Sequence, residues 1–223
     1  MEKSEDQVIA SEVRTQLNFP VGVRAAARFI SVIFHPLFIP VYLILFIIYE
    51  AGYFPDRTNW QKKLIVIQFL VSYTIMPLLT ILLMKGLGFI QSVQLRERKE
   101  RILPYVVCEI FYFWVWYVCK NQDYDRPVIT LTLGIFLASS IGLILNSYQK
   151  ISMHGLSVGV LATFVLMTGF HSTVSYGLYT SIAFLIAGLT LSARLIDSNH
   201  SVREIYTGFF AGVLSLIAAS LFS

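Results

Sequence analysis

Residues 192–212 read SARLIDSNHSVREIYTGFFAG, and within them Arg194, Asp197, His200, Arg203 and Glu204 crowd into eleven positions of an otherwise apolar chain. Charged side chains at the junction of two membrane-length runs are costly to keep near lipid, so they call for a partner or a function. His200 and Glu204 stand at i and i+4, and a helix beginning near His200 puts imidazole and carboxylate on one face. A carboxylate there accepts the proton of one ring nitrogen, fixes the tautomer, and turns the other nitrogen outward as a nucleophile. Gly208 and Gly212 continue the steps of four and allow a neighbouring helix to approach closely.

The whole chain has 223 residues, 56% hydrophobic and 13% charged, with a mean hydropathy of +0.69, which points to a polytopic membrane protein rather than a soluble domain. A bilayer core of about 30 Å needs about 20 apolar residues per helix. Runs of about that length fall at Phe29 to Tyr49, Leu64 to Met84, Ile102 to Cys119, Val128 to Tyr148, Gly155 to Phe170, Gly177 to Ala193 and Ile205 to Phe222. The expected fold is therefore all-α, a transmembrane helical bundle of six to seven spans. The fifth and sixth runs are short and are joined by a polar turn at His171, Ser172, Thr173 and Ser175. Pro36, Pro40 and Pro77 lie inside expected spans as tolerated kinks. Residues 1–28 read as an extramembrane tail, with a surface helix near Val23 to Phe29, and 29–223 as one transmembrane domain. The start lacks the basic-then-apolar pattern of a cleaved signal peptide. Cys108 and Cys119 share one expected helix about 16 Å apart, too far for a disulfide. The net charge of +4 gathers at the ends of the apolar runs, so it concerns topology and anionic headgroups rather than nucleic acid.

Three connections carry polar chemistry: QLRERKERILPY (Gln94 to Tyr105), YQKISMHG (Tyr148 to Gly155), and the opening stretch. Each follows an even-numbered run and precedes an odd-numbered one, so all three emerge on one membrane face together with the N-terminus. Lysine and arginine are in excess on that face, which by the positive-inside rule puts it in the cytoplasm. Without Arg98, Lys99, Arg101, Lys150, Arg194 and Arg203 the two faces come almost level, so charge alone leaves the orientation open. An integral protein of a bacterial inner membrane is the expected setting.

The second connection places Lys150, Ser152 and His154 just before a helix, whose free N–H groups favour an anion. Ser152 and the following backbone are suited to phosphate oxygens, and His154 to protonating a leaving oxygen. The simpler role for Ser152 is a helix N-cap, and both can hold. The first connection adds Arg96, Arg98, Lys99 and Arg101, a cluster suited either to a multiply charged oxyanion or to headgroup contact. Nucleophile, acid and cationic clamps are together what phosphoryl transfer without a metal needs.

These patches resemble the signature motifs of the type 2 phosphatidic acid phosphatase superfamily, K-x6-R-P, P-S-G-H and S-R-x5-H-x3-D. The third matches at Arg194, His200 and, in place of the usual Asp, Glu204, with Ser192 one position early. The second matches at Ser152 and His154, with Ile151 and Met153 for the usual Pro and Gly. In the first, Arg101 is followed by Ile102, Leu103 and only then Pro104. The resemblance covers roughly residues 90 to 212. It implies a phosphatidic acid phosphatase-like core in which His200 attacks phosphorus, Glu204 orients it, and His154 is the general acid. Ser152, Arg101 and Arg194 bind phosphate, with Arg98, Lys99 and Lys150 as further candidates, and no metal or cofactor is required. The implied substrate is a membrane lipid phosphate or a prenyl diphosphate.

Two functions remain open at this point: a lipid phosphatase working through a phosphohistidine, and a noncatalytic lipid-phosphate binding or transport protein that keeps the fold. A prenyltransferase would need paired aspartate-rich motifs, and Asp123 and Asp125 make a single pair. His35, in FHPLFIP, reads as a satisfied imidazole at a kink, and His171 falls on the opposite face. Glu109 reads as a bundle-facing carboxylate, Asp197 as a solvated or capping residue, and Trp114, Trp116 and Tyr117 as an interfacial belt. The phosphatase mechanism requires His154, Arg194 and His200 to line one cavity near the membrane surface.

Overall fold

The computed structural model of the protein describes residues 19–90, 102–170, 175–197 and 200–223. They are helical: α1 (Val21–Ile33), α2 (Ile39–Glu50), α3 (Asn59–Gly86), α4 (Ile102–Asn121), α5 (Arg126–Tyr148), α6 (Met153–Phe170), α7 (Gly177–Asp197) and α8 (Val202–Phe222). The last six are long and apolar enough to cross a membrane, with mean hydropathies of 1.5 to 2.3. Their outward faces carry Leu79 and Leu83 on α3, Ile110 and Trp114 on α4, and Leu185 and Leu214 on α7 and α8, all exposed. An apolar exterior of this extent fits a lipid environment.

The run Phe29 to Tyr49 is not one continuous helix, which corrects its reading as a span; six helices among the described residues are of spanning length, the lower of the expected six to seven. Pro36 has no N–H to donate, and its ring disfavours helical backbone in the residue before it. The ladder accordingly ends with Phe34 N–H on Ile30 O at 2.9 Å and restarts at Ile39, with Pro40 in the first turn. The resulting α2 has twelve residues, about 18 Å of rise, short of a 30 Å core. Its last five residues, Phe46–Glu50, widen into a π-turn. On the near side of the break, α1 runs straight through residue 28, where the tail was expected to end, and packs along α7. Pro77 does lie within a spanning helix: a π-turn at Val71–Ile75 precedes it in α3. Such a wide turn takes up the hydrogen bond a proline cannot make.

Helix starts follow local chemistry. Thr58 and Gln61 close a capping box on α3, and Ser201 and Glu204 close another on α8. Each pair satisfies two N–H groups that the first turn would otherwise leave unpaired. The buried hydroxyls of Thr132 and Ser215 bond back to Val128 O and Ala211 O at 2.9 and 2.6 Å. That removes their cost in an apolar interior. Near the far end of α4, Trp114 and Tyr117 are exposed, while Trp116 stacks on Phe136 beneath the Lys120 ammonium at 5.3 Å.

Packing centres on α8, which lies against α6 and α5. The crossing of α6 and α8 is a contact of backbones: a Cβ on Gly155 would stand 2.6 Å from Ile205 O, and one on Gly208 only 2.5 Å from Ser152 O. Gly159 and Gly212 meet Phe209 O and Leu156 O more closely still. The Ser152 N–H also donates to Glu204 O at 3.1 Å, tying the lead-in of α6 to the first turn of α8. The close approach expected at Gly208 and Gly212 is thus present, with Gly155 and Gly159 as its complement.

Replacing Gly155 or Gly208 by leucine should destabilise the bundle by about 1–3 kcal/mol through overpacking, lowering the thermal midpoint in detergent by roughly 2–4 °C per kcal/mol. Gly188→Ala on α7, where an added Cβ meets nothing within 4 Å, should leave the midpoint unchanged or higher.

Candidate functional site

The end of α3 at Ile81, the start of α4 at Pro104, the start of α6 at His154, the end of α7 at Arg194 and the lead-in of α8 at His200 come together around one cavity. The break between α1 and α2 reaches the same cavity. The cavity is about 190 Å³, with His35, His154, Arg194 and His200 in its lining. Pro36, Ile39, Pro104, Tyr112, Ile135 and Leu156 are among its apolar walls. From Pro104 to Tyr112 the lining extends eight residues along α4, about 12 Å.

His200 is buried just ahead of α8. Its Nδ1 lies 2.7 Å from Glu204 Oε2, and a carboxylate oxygen can only accept, so Nδ1 carries the proton and Nε2 is the unprotonated nitrogen when the ring is neutral. The same Oε2 accepts the Ser201 N–H at 3.4 Å, while Ser201 Oγ accepts the Glu204 N–H at 3.2 Å. Glu204 is therefore both the third residue of a capping box and the group that orients His200. A capping box at this position takes Glu or Gln, because the side chain must reach back past three residues to the N-cap. The glutamate, where the resembled motif has aspartate, fits that reach.

His154, in the first turn of α6, places Nε2 3.0 Å from the carbonyl oxygen of Ser31 on α1. A carbonyl only accepts, so Nε2 bears a proton and Nδ1 is the nitrogen left for exchange. The His35 ring stands edge-on to His154, with centroids 5.2 Å apart. Burial first, and the Arg194 guanidinium second, hold His35 at about 4, well below the usual imidazole value. It is neutral near pH 7.

Among the other expected residues, Ser152 is fully buried and its Oγ accepts the Gly155 N–H at 3.2 Å, the N-cap role. Neither Ser152 nor Lys150 is among the residues lining the cavity. Arg98, Lys99 and Arg101, with Arg96, lie outside the described residues, as does His171. Glu109 accepts a hydrogen bond from the Ser140 hydroxyl of α5, behind the cavity wall. Asp197 takes a two-point contact from Arg28 of α1, at 3.2 and 3.4 Å, which anchors α1 to the end of α7. With Arg28 73% exposed, that pair stabilises by about 0.2–1 kcal/mol at most.

His35 is the residue that sequence reasoning set aside. Its signal was the same alternation that grouped the three polar connections, because the start of the first apolar run falls on their face. No protein-family model, curated protein or solved structure matches the chain.

Glu204→Gln should keep the capping box, since glutamine reaches the same N–H, and leave thermal stability nearly unchanged. Glu204→Ala should cost about 1 kcal/mol. Thermal unfolding of the two variants side by side measures the cap separately from any effect on His200.

Proposed function

We propose that the protein is an integral membrane lipid phosphatase that removes the phosphate of a lipid phosphomonoester, or cleaves a prenyl diphosphate, through a phosphohistidine. The observation that carries this reading is the His200–Glu204 pair facing a cavity shared with His154 and Arg194. An unprotonated imidazole nitrogen on a ring backed by a carboxylate is a nucleophile, and a guanidinium lining the same cavity is suited to phosphoryl oxygens. The apolar walls of the cavity suit a hydrocarbon chain entering from between the helices.

In the first step the lone pair of His200 Nε2 forms a bond to phosphorus as the bond from phosphorus to the leaving oxygen breaks. Glu204 stabilises the positive charge that develops on the ring. The leaving oxygen keeps the bonding pair and takes a proton from Nδ1 of His154, whose Nε2–H stays on the Ser31 carbonyl. That proton enters with the substrate: a phosphomonoester monoanion bound to neutral His154 is equivalent to a dianion bound to the imidazolium. Water then attacks phosphorus and returns a proton to His154, and the N–P bonding pair goes back to His200 with release of inorganic phosphate.

Purified protein in detergent should release phosphate from one of phosphatidic acid, phosphatidylglycerol phosphate, a prenyl diphosphate or a phosphorylated lipid A, and continue to do so in EDTA. His200→Ala should abolish release, and His200 should carry acid-labile phosphate in quenched wild-type reactions. Glu204→Gln should lower kcat by about 10²-fold or more through loss of the orienting charge. Binding of these lipids by folded wild-type protein without any release would instead identify a lipid-phosphate binding or transport protein.

A further inference from the structure

The segment that carries His35 is built rather than loose. Phe38 N–H closes a turn on His35 O at 2.8 Å, and Thr74 of α3 donates its buried hydroxyl to Leu37 O at 2.7 Å. Pro36 and Pro40 restrict the backbone on either side. Within that turn the Leu37 N–H points at His35 Nδ1, 3.4 Å away. A backbone N–H only donates, so this nitrogen is the acceptor, and the neutral ring keeps its proton on Nε2. No protein group among the described residues accepts from that nitrogen, while the ring itself lines the cavity with His154, Arg194 and His200.

We infer that His35 is a phosphate-binding residue, its Nε2–H donating to a non-bridging oxygen of the substrate's phosphoryl group beside the Arg194 guanidinium. The inference rests on the phosphatase reading for its substrate. The chemistry favours an uncharged donor here. A second cation next to Arg194 would repel it, and a charged His35 edge-on to His154 would oppose the proton that His154 must carry to the leaving oxygen. A neutral N–H held in one tautomer by its own turn adds a hydrogen bond to the oxyanion without that penalty. Burial by the surrounding helices keeps the ring neutral over the physiological range. The α1–α2 break, which no motif of the resembled family includes, thereby contributes a ligand to the site.

Three substitutions separate the two nitrogens of His35. His35→Asn keeps an acceptor for Leu37 N–H near the Nδ1 position but is too short to place a donor at the Nε2 position. His35→Gln puts an amide donor near the Nε2 position, and His35→Leu removes both. The probe is orthovanadate, read as inhibition of phosphate release and as the rise in thermal midpoint it produces in the wild type and in His200→Ala.

His35→Asn and His35→Leu should lose about 10²-fold in kcat/KM and should weaken vanadate inhibition and the midpoint shift by a similar factor, with His35→Gln recovering most of both. Wild-type release and wild-type vanadate affinity in folded His35→Asn would overturn the inference while a dead His200→Ala left the phosphatase reading standing. Should the wild type release no phosphate, that reading falls, and the vanadate midpoint shift still decides whether His35 holds a phosphate-like anion. If the variants do not fold, ¹⁵N-histidine spectra of the wild type decide: vanadate should move the His35 Nε2–H resonance, and an unmoved resonance would reject the contact.

Discussion

Where α6 crosses α8, the two helices touch through their backbones, because Gly155 and Gly159 on one and Gly208 and Gly212 on the other put no side chain between them. In a lipid environment there is little hydrophobic gain from bringing apolar helices together, so close van der Waals contact of this kind becomes a main source of association. The consequence reaches beyond stability. The crossing falls in the first two turns of α6 and the first three of α8, and the Ser152 N–H to Glu204 carbonyl bond continues it to their ends. His154 and His200 are carried on those ends. A larger residue at any of the four glycines would move the two imidazoles apart along with the helices that bear them.

Glu204 shows how a membrane helix end can serve structure and site with one side chain. Its carboxylate closes the capping box with Ser201 and accepts the His200 Nδ1 proton. Polar groups near lipid must be satisfied, and a single Oε2 accepting from both an N–H and a ring satisfies two at once. Outside the cavity lining, α1 packs along α7. Arg28 fastens it to Asp197 at the end of α7, and its Ser31 carbonyl receives the His154 Nε2–H. The broken helix beyond it delivers His35 to the cavity.

The i,i+4 spacing of His200 and Glu204, the glycines at steps of four after it and the alternation of apolar runs are all local properties. Hydrogen-bond reach within one turn and bilayer thickness determine them, and they were legible before any contact was known. So were the bounds of α3 to α8 to within about five residues, and the meeting of the second and third polar connections, where Ser152 N–H reaches Glu204 O. The first apolar run was read as one span with Pro36 and Pro40 as tolerated kinks, because hydropathy does not distinguish a proline that bends a helix from one that ends it.

What the sequence alone determined, then, is that this is a membrane bundle of α-helices with an oriented histidine at one end. Only the tertiary structure decided which other groups meet that histidine. Ser152 turned inward to cap α6 and left the cavity lining, and the contacts of His35 and Ser31 with His154 join residues more than a hundred positions apart. Spacing within one helix says nothing about such meetings, because they depend on how closely two helices cross and at what height. Here the four glycines set how closely α6 and α8 cross, and the packing of α1 along α7 brings Ser31 to His154.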